Sequence, residues 1–366
     1  MRIFVINPGS TSTKVGLFED EKCLYSGNAS HDAAELEQLT SNEEKLDYRK
    51  KTILEMLADN GVEIDNLDAV VGRGGGLISL EGGTYLIDDL LLSDARRSAN
   101  GVDHPANLGS QLAAQFAADA DVSAYIVSPP DTDEYQEVAR ITGVKGVYRT
   151  SHLHALNLKE TAIRHSALGD KAYEESNYIA CHIGGGTSIS AHRQGKMIDG
   201  FDIVGGEGPM TPTRCGGVAI IDVLNWMQEH DLAETRALCT KSGGFVSLAG
   251  TSDAREITRR AEEGDKKAAL VWEAMLYQIT KAIGSMAAVL KGDVDAILLS
   301  GGMVHADDLV EYIIESCSWI APVFAYPGEF EMEAMAAGAI RVLTGIEEAK
   351  RYTGKPAWEP PAWLED

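Results

Sequence analysis

The sequence contains one local pattern twice: a short apolar strand, a turn of small residues, and a strand that leads away. In the first copy, the strand RIFVIN (residues 2–7) precedes the turn PGSTST, and KVGLFE (residues 14–19) follows. The second copy begins at residue 177 instead of residue 2, an offset of 175 positions. A polar turn and a third strand follow each copy. Such self-similarity indicates an internal duplication, although two similar hairpins can also arise by coincidence.

The turn of the second copy consists of three consecutive glycines, Gly184, Gly185 and Gly186. Without Cβ atoms, their backbone N–H groups can approach a ligand closely, which makes the turn a candidate phosphate site. An ordinary hairpin turn is the alternative. Lys241-Ser242 lacks the upstream glycine of a P-loop, and the glycines at 72 and 74–76 do not open a long helix, as a dinucleotide fingerprint requires.

Strand and helix patterns alternate along the rest of the chain. Ser41 and Glu44 form a capping box for a helix that ends near Asn60. The proline-rich C-terminal segment PAWEPPAWLED is expected to lie extended on the surface. The alternation predicts an α/β protein with mixed sheets. Further helices are expected at 93–99, 104–119, 151–167, 265–290, 307–316 and 329–343, and further strands at 67–76 (ending in a glycine-rich turn), 124–130, 295–302 and 322–328.

Length and composition limit the class of protein. A chain of 366 residues is long enough for two domains. It has 32 Lys and Arg against 56 Asp and Glu, a formal charge of −24, which argues against nucleic acid or an anionic membrane as a partner. Five scattered cysteines fit reduced thiols rather than a disulfide frame or a zinc site. Because the sequence shows no apolar leader and no apolar run of ~20 residues, we expect a cytoplasmic location.

Eight short motifs carry a resemblance to a known family. The segments VINPGSTSTKVGLF, GRGGG, DHPANLG, PPDT, YRTSH, HIGGGTSISA, PTRCGG and LLSGG occur in this order. Together they resemble the acetate and butyrate kinase family, a branch of the actin, hexokinase and chaperone-ATPase superfamily, over nearly the whole chain. The length of the chain and the residues within these motifs resemble the butyrate kinase branch more than the acetate kinase branch.

The resemblance implies a fold and an activity. The fold is a pair of duplicated actin-like (ribonuclease H-like) domains with mixed sheets flanking an ATP cleft. The expected bounds are 1–150 for the first domain, completed by about 340–366, and 151–339 for the second. The activity is reversible transfer of the ATP γ-phosphoryl group, with Mg²⁺, to a short-chain carboxylate such as butyrate, which gives an acyl phosphate and ADP. A homodimer or higher homo-oligomer is also implied.

The residue types suit this chemistry. Phosphoryl transfer needs positioning and neutralisation of charge on the equatorial oxygens, hence N–H donors, cations and a metal. A carboxylate acceptor is already ionised at neutral pH, so no general base is needed. Arg73 and Arg214, each next to glycine-rich turns, match the family's substrate-binding and transition-state-binding arginines. Asp131 matches an aspartate that orients an arginine and the metal; capping the following helix is its alternative role.

The resemblance assigns further residues to substrate, nucleotide and metal. His104 and His152 occupy family histidine positions for substrate binding, and core or capping histidines are the alternative. The family histidine near Tyr148 is missing, and Arg149 is a candidate replacement. Asn7 is expected at the metal, together with one of Glu329, Glu331 and Glu333, of which we select Glu331. Nucleotide contacts are expected from Ser10, Ser12, Lys14, Gly184, Gly185, Gly186, Gly301 and Gly302; for the two serines, ordinary turn chemistry is the alternative.

Other functions fit the sequence less well. An acetate or propionate kinase of the same family differs from a butyrate kinase only in the acid it accepts. A non-catalytic, nucleotide-dependent binding protein of the same fold would need a basic helix-turn-helix or a large peptide-binding domain, and neither pattern is found. A carbamoyl-transfer relative would need a pair of histidines that bind a metal. His152 and His154 do not form such a motif, because residues two apart on a helix point in different directions. We therefore predict a carboxylate kinase.

Overall fold

A computed structural model describes residues 1–365 of the chain. Among these residues, no helix is both long and apolar enough to span a bilayer. The described strands are β1 (Arg2–Pro8), β2 (Ser12–Glu19), β3 (Lys22–Ser30), β4 (Ala69–Gly72), β5 (Thr84–Leu86), β6 (Ser123–Val127), β7 (Asn177–Ile183), β8 (Thr187–Arg193), β9 (Lys196–Gly200), β10 (Ala296–Gly301), β11 (Val323–Pro327) and β12 (Lys350–Arg351).

The helices lie between and after these strands along the chain. Three short 3-10 helices cover Pro105–Leu108, Tyr173–Glu175 and Gly302–His305. The described α-helices are α1 (Ala33–Gln38), α2 (Asn42–Asp59), α3 (Asp89–Arg96), α4 (Gly109–Ala120), α5 (Glu137–Arg140), α6 (Ala155–Ser166), α7 (Ile220–Trp226), α8 (Leu232–Leu238), α9 (Gly244–Ala249), α10 (Ala254–Glu262), α11 (Lys266–Val289), α12 (Asp307–Cys317), α13 (Glu331–Leu343) and α14 (Ala362–Glu365).

The described chain divides into two compact units. The first contains Met1–Asp133 and Phe330–Leu364, so both ends of the chain contribute to it. The second contains Glu134–Glu329, together with Glu365. The bounds of the two actin-like domains, expected at residues 150 and 339, remain predictions.

The first unit is built on a seven-stranded mixed sheet in the order β12-β5-β6-β4-β1-β2-β3. β1 pairs antiparallel with β2 and parallel with β4, and β4 pairs parallel with β6. Four consecutive residues of β1, from Ile3 to Ile6, are fully buried, as expected for a central strand covered on both faces. Helices α4 and α13 both pack against β1. The carboxyl end of β1 therefore lies close to the first turn of α13, where Glu331 begins the helix.

The second unit is built on a five-stranded mixed sheet in the order β11-β10-β7-β8-β9. β7 pairs antiparallel with β8 and parallel with β10, and β10 pairs parallel with β11. Helix α11 packs against β8; it runs from Lys266 to Val289 and is capped by Asp265, whose side chain accepts from the N–H groups of Lys267 and Ala268. One continuous apolar core joins this helix to the sheet.

The two sheets repeat the same topology. The order β3-β2-β1-β4-β6 in the first corresponds to β9-β8-β7-β10-β11 in the second, with the same parallel and antiparallel pairings. Even a register irregularity recurs between the second and third strands, at Leu17/Phe18 and at Ala191/His192. The hairpins that the sequence repeats are therefore equivalent parts of two related sheets, and the predicted mixed α/β fold is confirmed.

Several predicted helices begin elsewhere than expected. The helix expected at 93–99 is α3, which starts at Asp89 because the Asp88 side chain caps it. The helix expected from Ser151 begins at Ala155, since the backbone N–H of His154 donates instead to Ser188 Oγ. The helix expected from His104 opens with a 3-10 turn before α4. The C-terminal segment is not wholly extended, because α14 forms within it.

Candidate active site

Three residues of the first unit form a cluster where β1 ends and α13 begins. Asn7 Nδ2 donates a hydrogen bond of 2.7 Å to Glu331 Oε2. Arg73 Nη2 forms an ion pair of 3.9 Å with Glu331 Oε1. Arg73 follows β4, the parallel neighbour of β1, and is buried. Its Nη1 is also buried and has no hydrogen-bond partner, so the cluster retains an unused cationic donor.

The structure distinguishes among the three glutamates considered for the metal. Glu331 is the one that contacts both Asn7 and Arg73. Glu329 belongs to the second unit and Glu333 lies two positions beyond Glu331 in the first turn of α13. The contacts therefore favour Glu331, although its role at a metal is a prediction.

Asp131 is a buried carboxylate rather than a helix cap. The next helix, α5, is preceded by Gln136, so the capping role considered for Asp131 does not occur. Its Oδ1 accepts a hydrogen bond of 2.6 Å from Asn100 Nδ2, whereas Oδ2 is buried without a partner. Burial raises the pKa of this carboxyl to about 6, although the Asn100 hydrogen bond and the charge of Arg73 act in the opposite direction.

His104 both caps a helix and lines a cavity. Its Nδ1 accepts a hydrogen bond of 3.1 Å from the backbone N–H of Ala106, in the first turn of the 3-10 helix Pro105–Leu108. Burial and then the nearby Arg73 charge lower the pKa of the imidazole, so the neutral form is favoured. His104 also lines a cavity of about 270 Å³ in the first unit, together with Ser10. His104 therefore caps the 3-10 helix, whereas its role in substrate binding remains a prediction.

The turn and strand start that follow β1 carry polar side chains that differ in solvent exposure. Ser10 is exposed, Ser12 is partly buried at the start of β2, and Lys14 is exposed directly opposite Asn7 in the β1–β2 register. The turn is held from behind by Arg49 of α2, a residue that sequence reasoning missed. A signal was available, because Arg49 stands in the apolar stripe formed by Leu46, Arg49, Ile53 and Leu57.

The triple-glycine turn of the second unit packs directly against Arg214. A Cβ at Gly186 would lie 2.5 Å from Arg214 Nη1, so only glycine allows this approach. The carbonyl of Gly185 accepts hydrogen bonds from Thr211 Oγ1 at 2.8 Å and Thr213 Oγ1 at 3.2 Å. Sequence reasoning missed both threonines, although they closely precede Arg214 in the chain.

Arg214 holds a positive charge with unused donors. Its Nε and Nη1 are buried and have no hydrogen-bond partner. Burial lowers the pKa of the guanidinium, and the charge of Asp202 partly offsets this effect. An oxyanion that accepted hydrogen bonds from these nitrogens would remove the cost of leaving them unsatisfied.

A cavity of about 760 Å³ in the second unit is lined by both of its predicted nucleotide-binding turns. Gly185 comes from the triple-glycine turn and Gly302 from the end of β10. Gly301 instead lets β10 end tightly against β7, because its φ is +101° and a Cβ there would lie 2.3 Å from the carbonyl oxygen of Ile183. The other cavity residues include Pro212, Ser252, Arg255, Trp272 and His305.

His152 and Arg149 both contact acidic residues of the second unit. His152 Nδ1 lies 3.1 Å from Asp202 Oδ2, and this contact helps to hold the pKa of Asp202 below its usual range. Arg149 donates to Asp199 at 2.9 Å and to Glu207 at 3.0 Å. These bonds raise the pKa of the guanidinium against the effect of burial. Arg149 is thus engaged in ion pairs with two acidic residues, and its role as a replacement for the family histidine remains a prediction.

Histidines missed by sequence reasoning lie beside the glycine turn. The rings of His154 and His182 stand 4.4 Å apart, and His154 Nδ1 is 2.8 Å from Ser188 Oγ. Within residues 1–365, no group of three or more His, Cys, Asp or Glu side chains is arranged to hold a metal. A metal would therefore rely on few protein ligands, and Asn7 and Glu331 offer an amide oxygen and a carboxylate.

Comparison with known proteins gives consistent relatives. The profile of the acetokinase family matches residues 129–319. Butyrate kinase 2 of Clostridium acetobutylicum is 42% identical over 353 residues, which cover 96% of this chain and 99% of that protein. A probable butyrate kinase of Clostridium botulinum (strain Eklund 17B) is 41% identical with the same coverage.

Solved structures agree with the fold. The crystal structure of acetate kinase from Porphyromonas gingivalis has a TM-score of 0.77 at 20% identity, covering 94% of this chain and 100% of that one. A propionate kinase from Francisella tularensis has a TM-score of 0.71 at 17% identity, covering 92% and 98%. Identities this low support the fold alone, whereas the curated relatives and the family profile match in sequence. The chain therefore belongs to the acetokinase family.

Proposed function

We propose that this protein transfers the γ-phosphoryl group of ATP reversibly to butyrate or a related short-chain or branched-chain fatty acid, giving an acyl phosphate and ADP. The general part, a kinase with a carboxylate acceptor, follows from membership of the acetokinase family. The preference for a butyrate-sized acid is supported by relatives of more than 40% identity that are named as butyrate kinases.

One observation carries the proposal: each unit contains an arginine with buried guanidinium donors that have no partner. Arg73 Nη1 in the first unit, and Arg214 Nε and Nη1 in the second, are buried without partners. Unsatisfied buried donors cost about 1–3 kcal/mol each, and more when charged. Carboxylate and phosphoryl oxygens would satisfy them, and guanidinium groups are well suited to both. Such donors stabilise charge that spreads over the transferred group in the transition state.

A magnesium ion fits the oxygen donors of the first unit. Asn7 Nδ2 donates to Glu331 Oε2, so the Asn7 side-chain oxygen and Glu331 Oε1, which lies 3.9 Å from Arg73 Nη2, are the hard oxygen atoms that Mg²⁺ prefers as ligands. Mg²⁺ usually binds one or two protein carboxylates and completes its shell with water and phosphate oxygens. When bound, it would neutralise charge on the ATP phosphates. Asn7 and Glu331 would hold it.

The remaining residues position the two substrates. We assign the nucleotide to the cavity lined by Gly185 and Gly302, since a volume of about 760 Å³ lies in the usual range for ligand sites. We assign the acid to the side of Arg73, with His104 as a neutral neighbour. The acid is ionised at neutral pH, so its carboxylate attacks phosphorus without a general base. Asp131, the second charge close to Arg73, orients that guanidinium.

An acyl hydroxamate assay tests this function. Purified protein is incubated with ATP, Mg²⁺, hydroxylamine and one acid of two to six carbons, straight or branched. Acyl hydroxamate is expected with butyrate and its relatives, at a higher kcat/KM than with acetate. Discrimination by an apolar pocket is worth ~1–3 kcal/mol per methylene, or about 10-fold to 200-fold. Equal or better use of acetate or propionate would show an acetate or propionate kinase instead.

A second measurement separates catalysis from binding alone. If no acid gives product but ATP still binds, the chain is a nucleotide-dependent binding protein of the kinase fold, and the proposal is wrong. Size-exclusion chromatography with light scattering tests the proposed homo-oligomer in the same preparation. Fractionation of the source cells tests the proposed cytoplasmic location.

A further inference from the structure

Arg49 is an arginine buried inside the first unit, on the apolar face of α2. Only 3% of its surface is exposed. Neighbouring positions on the same helical stripe are Leu46, Ile53 and Leu57, which are buried as well. Burying a guanidinium is costly unless its donors are satisfied, so its hydrogen-bond partners indicate what it is for.

The partners of Arg49 lie in the turn between β1 and β2 and at the start of β2. Nη2 donates to the carbonyl oxygens of Gly9 at 2.9 Å and Ser10 at 3.4 Å. Nη1 donates to the carbonyl oxygen of Ser12 at 3.3 Å and to Thr13 Oγ1 at 2.8 Å. One side chain thus binds four oxygen acceptors in the turn and at the start of β2, the first of them 40 positions earlier in the chain.

A second contact involves one of these acceptors. Thr13 Oγ1 accepts from Arg49 and lies 2.7 Å from His31 Nε2. Burial followed by the Arg49 charge lowers the pKa of that imidazole to about 4, so His31 is neutral at neutral pH and its Nε2 can accept the Thr13 hydroxyl proton. The turn therefore rests on a buried network of Arg49, Thr13 and His31.

Peptide geometry decides where the other side of the turn points. In a trans peptide, the C=O of one residue and the N–H of the next point in opposite directions. The chain has no cis peptide bonds within the described residues. The carbonyl oxygens of Gly9 and Ser10 accept hydrogen bonds from Arg49 and therefore face it. The N–H groups of the next residues, Ser10 and Thr11, consequently point away from the guanidinium. Successive N–H groups aimed to one side form an anion-binding concavity.

The charge of Arg49 acts in the same direction. Among residues 1–365, no carboxylate forms an ion pair with Arg49, and its Nε is buried without a partner. Burial lowers the pKa of the guanidinium, yet an arginine stays charged at neutral pH. A fixed positive charge without a counterion therefore lies behind the turn and favours an anion in front of it.

We propose that Arg49 is a positioning residue: it holds the β1–β2 turn so that the N–H groups of Ser10 and Thr11 bind a phosphoryl group. Arg49 does not touch the phosphoryl group. It acts by ordering the donors and by adding positive charge behind them. This inference rests on the proposed kinase function for the identity of the anion, whereas the geometry of the turn stands independently.

Kinetics of Arg49 variants test the proposal. Arg49→Met keeps the apolar stem and removes the charge and all four bonds. We expect kcat to fall by at least ~30-fold, whereas the Kd for ADP, which lacks the transferred group, changes by less than ~3-fold. Arg49→Lys keeps the charge but cannot span four acceptors, and an intermediate kcat is expected. Lys51→Met, an exposed change on the same helix, is the control for helix charge and should leave kcat unchanged.

Chemical rescue separates positioning from a general loss of stability. In Arg49→Ala, added guanidinium ion at a non-denaturing concentration should restore kcat by at least ~10-fold, while an equal concentration of sodium chloride should not. A kcat for Arg49→Met within threefold of wild type would overturn the proposal. Failure of rescue in a folded Arg49→Ala, or a parallel loss of ADP binding, would overturn it as well. If both truncations fail to fold, Arg49→Lys with wild-type kcat decides against it.

Amide chemical shifts give a readout that does not depend on activity. Protein labelled with ¹⁵N at serine and threonine is titrated with inorganic phosphate, and with chloride as control. The amide signals of Ser10 and Thr11 should move with phosphate in the wild type and move clearly less in Arg49→Lys. Equal shifts in both proteins, or none in the wild type, would overturn the proposal even if the kinase function stands. A wild type that shows the shifts but makes no acyl phosphate would contradict the kinase function alone.

Discussion

Asn7 and Glu331 are 324 positions apart in the chain and are joined by a hydrogen bond of 2.7 Å from Asn7 Nδ2 to Glu331 Oε2. Asn7 stands near the end of the first strand, and Glu331 is the first residue of a helix near the end of the chain. The helix packs against β1, and this packing brings the amide to the carboxylate. The cluster of the first unit is therefore built from both ends of the sequence.

Glu331→Gln should lower kcat by at least ~10²-fold, because it removes the carboxylate charge that we assign to Mg²⁺ and weakens the contact with Arg73. The concentration of Mg²⁺ that gives half-maximal activity should rise. Steady-state kinetics over a magnesium series measures both effects. Glu333→Gln, two residues away on the same helix, is the matched control. Similar losses in both variants would contradict the assignment of Glu331.

Arg214→Ala should leave ATP binding nearly intact and lower turnover by at least ~10²-fold, because its free donors are assigned to the transition state. Calorimetry with ATP and steady-state kinetics provide the two measurements. Arg236→Ala, a change of another arginine on α8, should alter neither. Loss of ATP binding in Arg214→Ala would place this residue in the nucleotide site or in the folding of the unit.

Gly186→Ala should reproduce much of the Arg214→Ala defect without touching the arginine itself. Its Cβ would lie 2.5 Å from Arg214 Nη1, so the guanidinium must move. Gly284→Ala, on α11, serves as the control, because a Cβ at Gly284 meets nothing within 4 Å. We expect kcat of Gly186→Ala to fall at least ~10-fold and kcat of Gly284→Ala to stay close to wild type. A wild-type kcat for Gly186→Ala would show that the position of Arg214 does not limit turnover.

Asp131→Asn should become more stable relative to wild type as pH rises. Burial raises the pKa of Asp131 to about 6 in the folded protein, so between the unfolded pKa and about 6 the folded state binds more protons. By proton linkage, the contribution of Asp131 to the free energy of unfolding of the wild type therefore falls as pH increases. Asparagine cannot ionise and can still accept from Asn100.

The gain for Asp131→Asn should reach about 2–3 kcal/mol near pH 7 and be small near pH 4, since each pKa unit is worth ~1.4 kcal/mol. Denaturant unfolding of both proteins across this pH range measures the difference. A difference that does not change with pH would mean that Asp131 titrates as an ordinary carboxyl. The activity of Asp131→Asn should nevertheless be low, because the orienting charge near Arg73 is lost.

Gly301→Ala should destabilise the protein by about 2–4 kcal/mol, because φ is +101° and the new Cβ would lie 2.3 Å from the Ile183 carbonyl oxygen. Gly302→Ala, the next residue, meets nothing within 4 Å and should cost less than about 1 kcal/mol. Thermal and denaturant unfolding compare the two variants. Equal stability would show that β10 can shift away from β7 without cost.

Local patterns predicted most of the elements. The capping box of Ser41 and Glu44 forms as expected at the start of α2, and the long helix predicted at 265–290 is α11. These features depend on residues a few positions apart, whose periodicity and capping chemistry are written in one stretch of chain. Helix starts were wrong where a distant group intervened, as when Ser188 bound the N–H of His154 and delayed α6.

The sequence predicted which residues belong to the candidate site but not which residues they contact. Arg73 and Arg214 stood out by their glycine neighbours, but their unpaired buried donors follow only from packing. Arg149 was a candidate replacement for the family histidine, but the sequence did not show that its guanidinium donates to Asp199 and Glu207. Partners of this kind are 50 or more positions away, and no local pattern indicates them.

The sequence by itself determined that the chain has two equivalent hairpins, because each hairpin is specified by its own apolar strands and small-residue turn. It also determined the acetokinase family through motifs in a fixed order. Tertiary structure alone decided that Glu331 pairs with Asn7 and that Arg49 holds the first turn. The physical reason is that burial and hydrogen bonding between distant segments depend on how sheets and helices pack, whereas strands, turns and caps depend on near neighbours.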